Sequence, residues 1–184
     1  MATGDLTSLA NAKQWLGVAA STDDALLARL VTAASQFIQS WLNRSIPSQA
    51  YTEKRNGHGG DRLALANYPV SAISQVTVDG IGIPAAATAL DTGYRFDERF
   101  VYLRGYVFTR GWLNVGLTYT AGFTTIPADL EQACIALVGL RYRERDRIGH
   151  QSKSIGGETV AFWTRDMPAD VQTVLNAYRK VVPL

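Results

Sequence analysis

The chain has 184 residues, 47% hydrophobic and 18% charged, which supports one sizeable core, or a core with an appended subdomain, and excludes global disorder. A formal net charge of +2 is too small to argue for nucleic-acid affinity, so any basic function must come from local clustering. The longest apolar run, around 133–140, is too short to span a bilayer, the first residues lack the basic and apolar regions of a secretion signal, and the single Cys134 allows no internal disulfide, so a soluble, non-secreted protein of a reducing compartment is expected.

The first predicted element is a two-turn helix with Thr7 or Ser8 as N-cap, apolar Leu9, Ala12, Trp15 and Leu16, and Gly17 as its stop. A second helix follows Ser21 or Thr22, with Asp23 and Asp24 in a first turn where they complement the helix dipole. Leu26, Leu27, Leu30, Val31, Ala34, Phe37, Ile38, Trp41 and Leu42 recur at three-and-four spacing and define one broad face, and residues 43–47 break the pattern.

From about 49 to 123 the period becomes two. Leu63 and Leu65, Val76 and Val78, then Leu113, Val115, Leu117 and Tyr119 alternate with small or polar neighbours, as half-buried strands do. Residues 57–61 and Asp79-Gly80 supply positive-φ turn positions, and short strands over 94–96 and 100–103 flank a turn at 97–99. The pattern predicts a small antiparallel sheet or barrel inserted between helices.

A third helix opens at Pro127, read as a first-turn proline, and carries Leu130, Ala133, Cys134, Ile135, Leu137, Val138 and Leu140. Apolar residues surround this helix rather than stripe it, so it requires cover on several sides, from its own core and from a neighbouring subunit. A loop over 149–157 and a strand over 159–163 precede a last helix that starts at Pro168 and presents Val171, Val174, Leu175 and Tyr178 on one face. The openings Ile126-Pro-Ala-Asp-Leu and Met167-Pro-Ala-Asp-Val are nearly the same; shared capping chemistry explains them more simply than a duplication. The predicted class is α+β, a helical bundle core (1–47 and 125–184) with an inserted antiparallel β-rich subdomain (48–124).

Catalytic chemistry finds little support. His58 and His150 lie in separate glycine-rich turns without a ligand pattern, so surface-turn roles outweigh catalysis or metal binding, and no cofactor is implied. Cys134 falls in the apolar part of the third helix, where a thiol behaves as a small buried hydrophobe. The segment 149–154 lacks the glycine before lysine that a phosphate loop needs, and it follows a helix. No group of acid, base and nucleophile assembles, so an enzyme is not expected.

The charge feature above background is Arg141-Tyr-Arg-Glu-Arg-Asp-Arg147. Arg141 and Arg145 share one helical face and Arg143 and Arg147 another, with acids between, so no single basic stripe forms. A solvated helix end set against the dipole and a polar contact to a subunit, an acidic partner or DNA phosphate carry equal weight. The apolar ending Val181-Val-Pro-Leu184 packs on its own subunit or orders on a partner. A nucleic-acid-binding module, with the arginine run beside Trp112, Tyr106 and Phe108 as a stacking platform, is the alternative from another class.

Four stretches in order resemble the phage head-tail connector family, also called adaptor or head completion proteins. They are Leu6-Thr-Ser-Leu-Ala-Asn-Ala-Lys-Gln-Trp-Leu-Gly; Ser21-Thr-Asp-Asp-Ala-Leu-Leu through Trp41-Leu-Asn-Arg; Tyr68-Pro-Val-Ser-Ala-Ile-Ser-Gln-Val-Thr-Val-Asp-Gly; and Ser154-Ile-Gly-Gly-Glu through Met167-Pro-Ala-Asp-Val to Tyr178-Arg. The resemblance spans nearly the whole chain, although compact members are largely helical and the strand-rich insert matches the larger variants. It implies a non-enzymatic virion protein, made in the host cytoplasm, that assembles with itself into a ring, twelve-fold in expectation, below the portal protein. Such a ring extends the channel for double-stranded DNA without reading sequence and offers a platform for a stopper or tail-completion protein. It further implies a helical ring wall whose neighbours meet through faces such as the third helix. A C-terminal arm of Tyr178, Val181, Val182, Pro183 and Leu184 would reach the portal. Subunit or channel contacts would fall to Arg141, Arg143, Arg145, Arg147 and, in the 149–157 loop, Lys153.

Overall fold

A computed structural model describes residues 4–145, 152–155, 158–161 and 167–179, with the two short strands among these described by their backbone. The chain divides into two compact units, Met1–Ile46 with Thr125–Leu184, and Pro47–Thr124.

The first unit holds four helices: α1 (Leu9–Leu16), α2 (Asp24–Leu42), α3 (Ala128–Glu144) and α4 (Ala169–Tyr178). Ser8 caps α1 by accepting the Asn11 amide at 3.1 Å, and Gly17 ends it at φ 69°, a left-handed position that costs glycine little. Asn43 closes α2 the same way at φ 54°. Asp23 stands one residue before α2 and makes no capping bond there, because its carboxylate is engaged elsewhere, as described below.

Helices α1, α2 and α4 all pack on α3. Leu130, Ala133, Cys134, Ile135, Leu137, Val138 and Gly139 of α3 are buried. The cover expected from the chain's own core is thus supplied by three helices. Gly139 faces α1: a Cβ there would meet the Leu16 side chain at 3.6 Å and Trp15 at 3.8 Å, in ordinary contact. The opposing faces of α2 and α4 contribute Leu27, Val31, Ala34, Ile38 and Leu42, and Val171 and Leu175.

Both proline openings stand one residue outside their helices, rather than in the first turn. Pro127 (φ −55°, ψ 135°) and Pro168 (φ −58°, ψ 147°) are extended, and their carbonyls accept the first helical amides, from Glu131 and Gln172, each at 3.0 Å. The ring fixes φ and the missing N–H is not needed at a helix start, so the two sites share one capping geometry.

The second unit holds β1 (Gln49–Gly57), β2 (Arg62–Ala64), β3 (Val70–Val78), β4 (Ile81–Ile83), β5 (Gly93–Phe96), β6 (Phe100–Arg104) and β7 (Gly111–Ala121). They form two antiparallel sheets, ordered β1-β7-β3-β4 and β2-β6-β5. One core joins them, with Val76, Val78, Val115, Leu117, Tyr119 and Ala121 from the larger sheet and Leu63, Tyr94, Val101 and Leu103 from the smaller. Leu113 departs from the predicted alternation. It is 42% exposed with φ 49°, because β1 and β7 slip register between Arg55 and Gly57 and the chain bulges opposite.

In the first unit, β8 (Ser152–Ile155) pairs antiparallel with β9 (Glu158–Ala161). The stretch expected as a loop over 149–157 thus contains a strand, which its polar Ser-Lys-Ser sequence conceals, and the strand expected over 159–163 begins one residue earlier. Residues 162 and 163 lie outside those described.

Candidate functional site

The basic end of α3 packs along α2 and its N-cap Asp23. The Tyr142 hydroxyl donates to Asp23 Oδ2, and the Arg145 guanidinium lies 4.1 Å from the Tyr142 ring centroid and 3.8 Å from the same carboxylate oxygen. One turn back, Arg141 sits 5.1 Å from the Phe37 ring. The 3.6-residue repeat puts Arg141 and Arg145 on the face that meets α2, where aromatic rings and one carboxylate receive their charge. Lys13 and Asp24 pair beside them at 2.5 Å, so the start of α2 is ringed by cations from α1 and α3. Glu131 at the other end of α3 receives hydrogen bonds from Thr7 (2.9 Å) and Asn11 (2.7 Å).

Arg143 points away and is exposed, without a hydrogen-bond or ion-pair partner among the described residues. Arg147 and His150 lie outside the described residues. Lys153 is placed by its backbone in β8, opposite Val160 of β9. Of the five cations taken from the sequence, then, two are spent within the unit and one faces outward. Asp23, Tyr142 and Phe37 complete the arrangement; sequence spacing within α3 could not find them, because they come from the partner helix or serve it.

The last turn of α4 carries Tyr178, whose hydroxyl donates to the Asp129 carboxylate, at 2.9 and 2.8 Å from its two oxygens. Burial, with Asp129 beside it, raises the Tyr178 pKa. Arg179 next to it lies 5.4 Å from the Trp41 ring. Val181, Val182, Pro183 and Leu184 lie outside the described residues.

The stacking platform of the alternative does not assemble as expected. Phe108 is fully buried, stacked on His58 at 6.5 Å, and offers no free face, while Trp112 is 81% exposed. The arginine run belongs to the other compact unit. Cys134 is buried beside Ser35 at 3.5 Å, and burial pushes its thiol up to about 11, which suits the hydrophobe expected there. No metal-holding cluster occurs among the described residues, and none of the described helices is long and apolar enough to cross a membrane.

A helical core whose arginines and aromatics tie its own helices together, carrying an antiparallel β-rich insert, defines an α+β protein with outward-facing side chains as its available chemistry. The profile of the head completion proteins matches residues 5–181, and the chain belongs to that family. Its fold is similar to a chain in the neck of an empty GTA particle computed with C6 symmetry, at 21% identity and a TM-score of 0.62 over 96% of this chain and 90% of that one. It is also similar to a chain in the virion of a native gene transfer agent (GTA) particle (22%, TM-score 0.62) and to one in the neck of a native GTA particle computed with C12 symmetry (22%, TM-score 0.60), with the same coverages. No curated protein matches this sequence. Membership in the family makes the chain a structural protein of the phage head-tail type.

Proposed function

We propose that this protein is a non-enzymatic head-to-tail adaptor of a tailed phage or phage-like particle. It forms a ring below the portal, extends the DNA channel and supplies the platform on which a stopper or tail-completion protein docks. The observation that carries this function is the family match over residues 5–181, which takes in both compact units. The similar folds in GTA necks computed with C6 and C12 symmetry support a ring, twelve-fold here, located in the virion.

Copies meet side by side through unlike surfaces, the kind of contact that closes into a ring. Ring contacts fall to the outward faces of the helical unit, the exposed side of α3 with Arg143 among them. Arg147 and Lys153 complete the cationic contacts to a neighbour or to passing DNA, which is held by weak phosphate attraction without reading sequence. The arm of Val181, Val182, Pro183 and Leu184 reaches the portal from a base anchored by Tyr178 on Asp129.

Mass photometry and negative-stain microscopy of the purified protein, alone and mixed with purified portal, test this. A ring or a portal complex is expected, and deletion of residues 181–184 should abolish portal binding with the melting curve nearly unchanged. Monomers at every salt and protein concentration, with and without portal, would refute it.

A further inference from the structure

Strands β1 and β2 are each the outer strand of their sheet, and the turn over 57–61 passes the chain directly from one to the other. They diverge without pairing, and a groove of about 740 Å³ opens between the end of β1 and β2, lined by Arg55 and Asn56 of β1 and by His58, Asp61, Arg62, Phe100 and Tyr102 among others. The turn is held in place. Gly59 donates to the Phe108 carbonyl at 2.6 Å and Gly57 to Asn114 Oδ1 at 2.9 Å. A Cβ at Gly57 would lie 1.9 Å from the Thr109 carbonyl, so only glycine allows this approach.

Two guanidinium groups at this groove are held by long contacts only. The carboxylate nearest Arg55, that of Glu53, is 3.9 Å away and already accepts from the Tyr119 hydroxyl at 3.2 Å. Arg62 lies over the Phe100 ring at 4.8 Å. Neither has a hydrogen-bond acceptor among the described residues. The lining therefore combines two cations, one acid, and the unpaired backbone edges of two strands.

We propose that this groove binds an extended, acidic segment of a partner protein, which adds to β1 as a further strand while its carboxylates engage Arg55 and Arg62. An unpaired edge offers a row of backbone donors and acceptors, and alternate side chains of an added strand enter the groove. Charge complementarity selects the acidic partner, since guanidinium forks match carboxylates. The groove suits nucleic acid less well: Arg62 covers the Phe100 face, and Asp97 holds the Tyr102 hydroxyl at 2.7 Å. The proposal holds whether or not the chain forms a ring.

The test uses a fluorescein-labelled synthetic peptide alternating valine and glutamate, titrated by anisotropy against the full chain at low salt. Binding is expected, with slowed hydrogen exchange at the β1 amides. Arg55→Gln and Arg62→Gln should each weaken it about tenfold or more, the loss of one charge-assisted bond apiece. N-methylation of alternate peptide amides should do the same without touching the protein. The absence of binding, equal affinity for a lysine-for-glutamate peptide, or an N-methylated peptide that binds as tightly would overturn the proposal. So would a single-stranded oligonucleotide that outcompetes the peptide for the groove.

Discussion

Tyr178, in the last turn of α4, closes onto Asp129, in the first turn of α3, with its hydroxyl within 2.9 and 2.8 Å of both carboxylate oxygens. Two helix ends far apart in the chain are thereby joined by a neutral donor and a charged acceptor, and the acceptor also sits where a helix dipole favours negative charge.

Tyr178→Phe keeps the ring and removes the donor. A loss of about 1–2 kcal/mol is expected from a hydrogen bond to a charged group, read as a lower urea midpoint at constant slope. The phenol pKa is raised, so the protonated donor is the form the fold favours. The contribution is complete below the ordinary tyrosine range and fades as pH rises through the raised value, so wild type and variant should converge in strong alkali.

Tyr119 tests the β-rich unit separately. Burial pushes its phenol up from 10.0 to about 12, with hydrogen bonds from Asn67 opposing the shift. The protonated form is favoured, so this stability is present below pH 10.0 and is lost as pH rises toward about 12. Absorbance titration should show a tyrosinate forming toward pH 12 that is absent in Tyr119→Phe, and alkaline unfolding should begin in the same window.

Leu113 reverses the usual order of substitutions. In a strand glycine is normally worse than alanine, but Leu113 holds φ 49°, where a side chain costs roughly 1–2 kcal/mol. Leu113→Gly should therefore be more stable than Leu113→Ala by about 1 kcal/mol in chemical unfolding. The opposite order would show that the bulge is not strained.

The packing of α3 predicts a steep contrast along one helix. Leu137 is 0% exposed, and Leu137→Ala should cost about 2–5 kcal/mol through lost burial and a cavity. Gln132 faces solvent, and Gln132→Ala should stay within about 0.5 kcal/mol. If α3 were covered mainly by a neighbouring subunit, the Leu137 effect would depend on protein concentration; a concentration-independent melting shift is expected.

Several elements were legible because their signals are local. The limits of α1 follow from Ser8 and Gly17, and the broad face of α2 from its three-and-four repeat, since capping and periodicity act within one turn. The inner residues Val115, Leu117 and Tyr119 of β7 follow from alternation alone. The strand β8 did not show itself, because its pairing with β9 rather than its own composition makes it a strand. Leu113 failed the alternation for a related reason: the register shift belongs to the β1–β7 pair and not to either sequence.

The candidate site divides along the same line. The arginine run and its two faces are properties of a helix and could be read from spacing. Which arginines remain available was decided by Asp23, Tyr142 and Phe37, which meet them only after α2 and α3 pack. By itself the sequence determined the order of elements, the helical core with its β-rich insert, and the family resemblance, because periodicity, caps and motif order are carried by neighbouring residues. Only the tertiary structure decided that α1, α2 and α4 pack on α3, that Tyr178 anchors on Asp129, and that the end of β1 and β2 open onto one groove. Each of these is a contact between segments distant in sequence, and such a contact is set by how faces pack, which no single segment specifies.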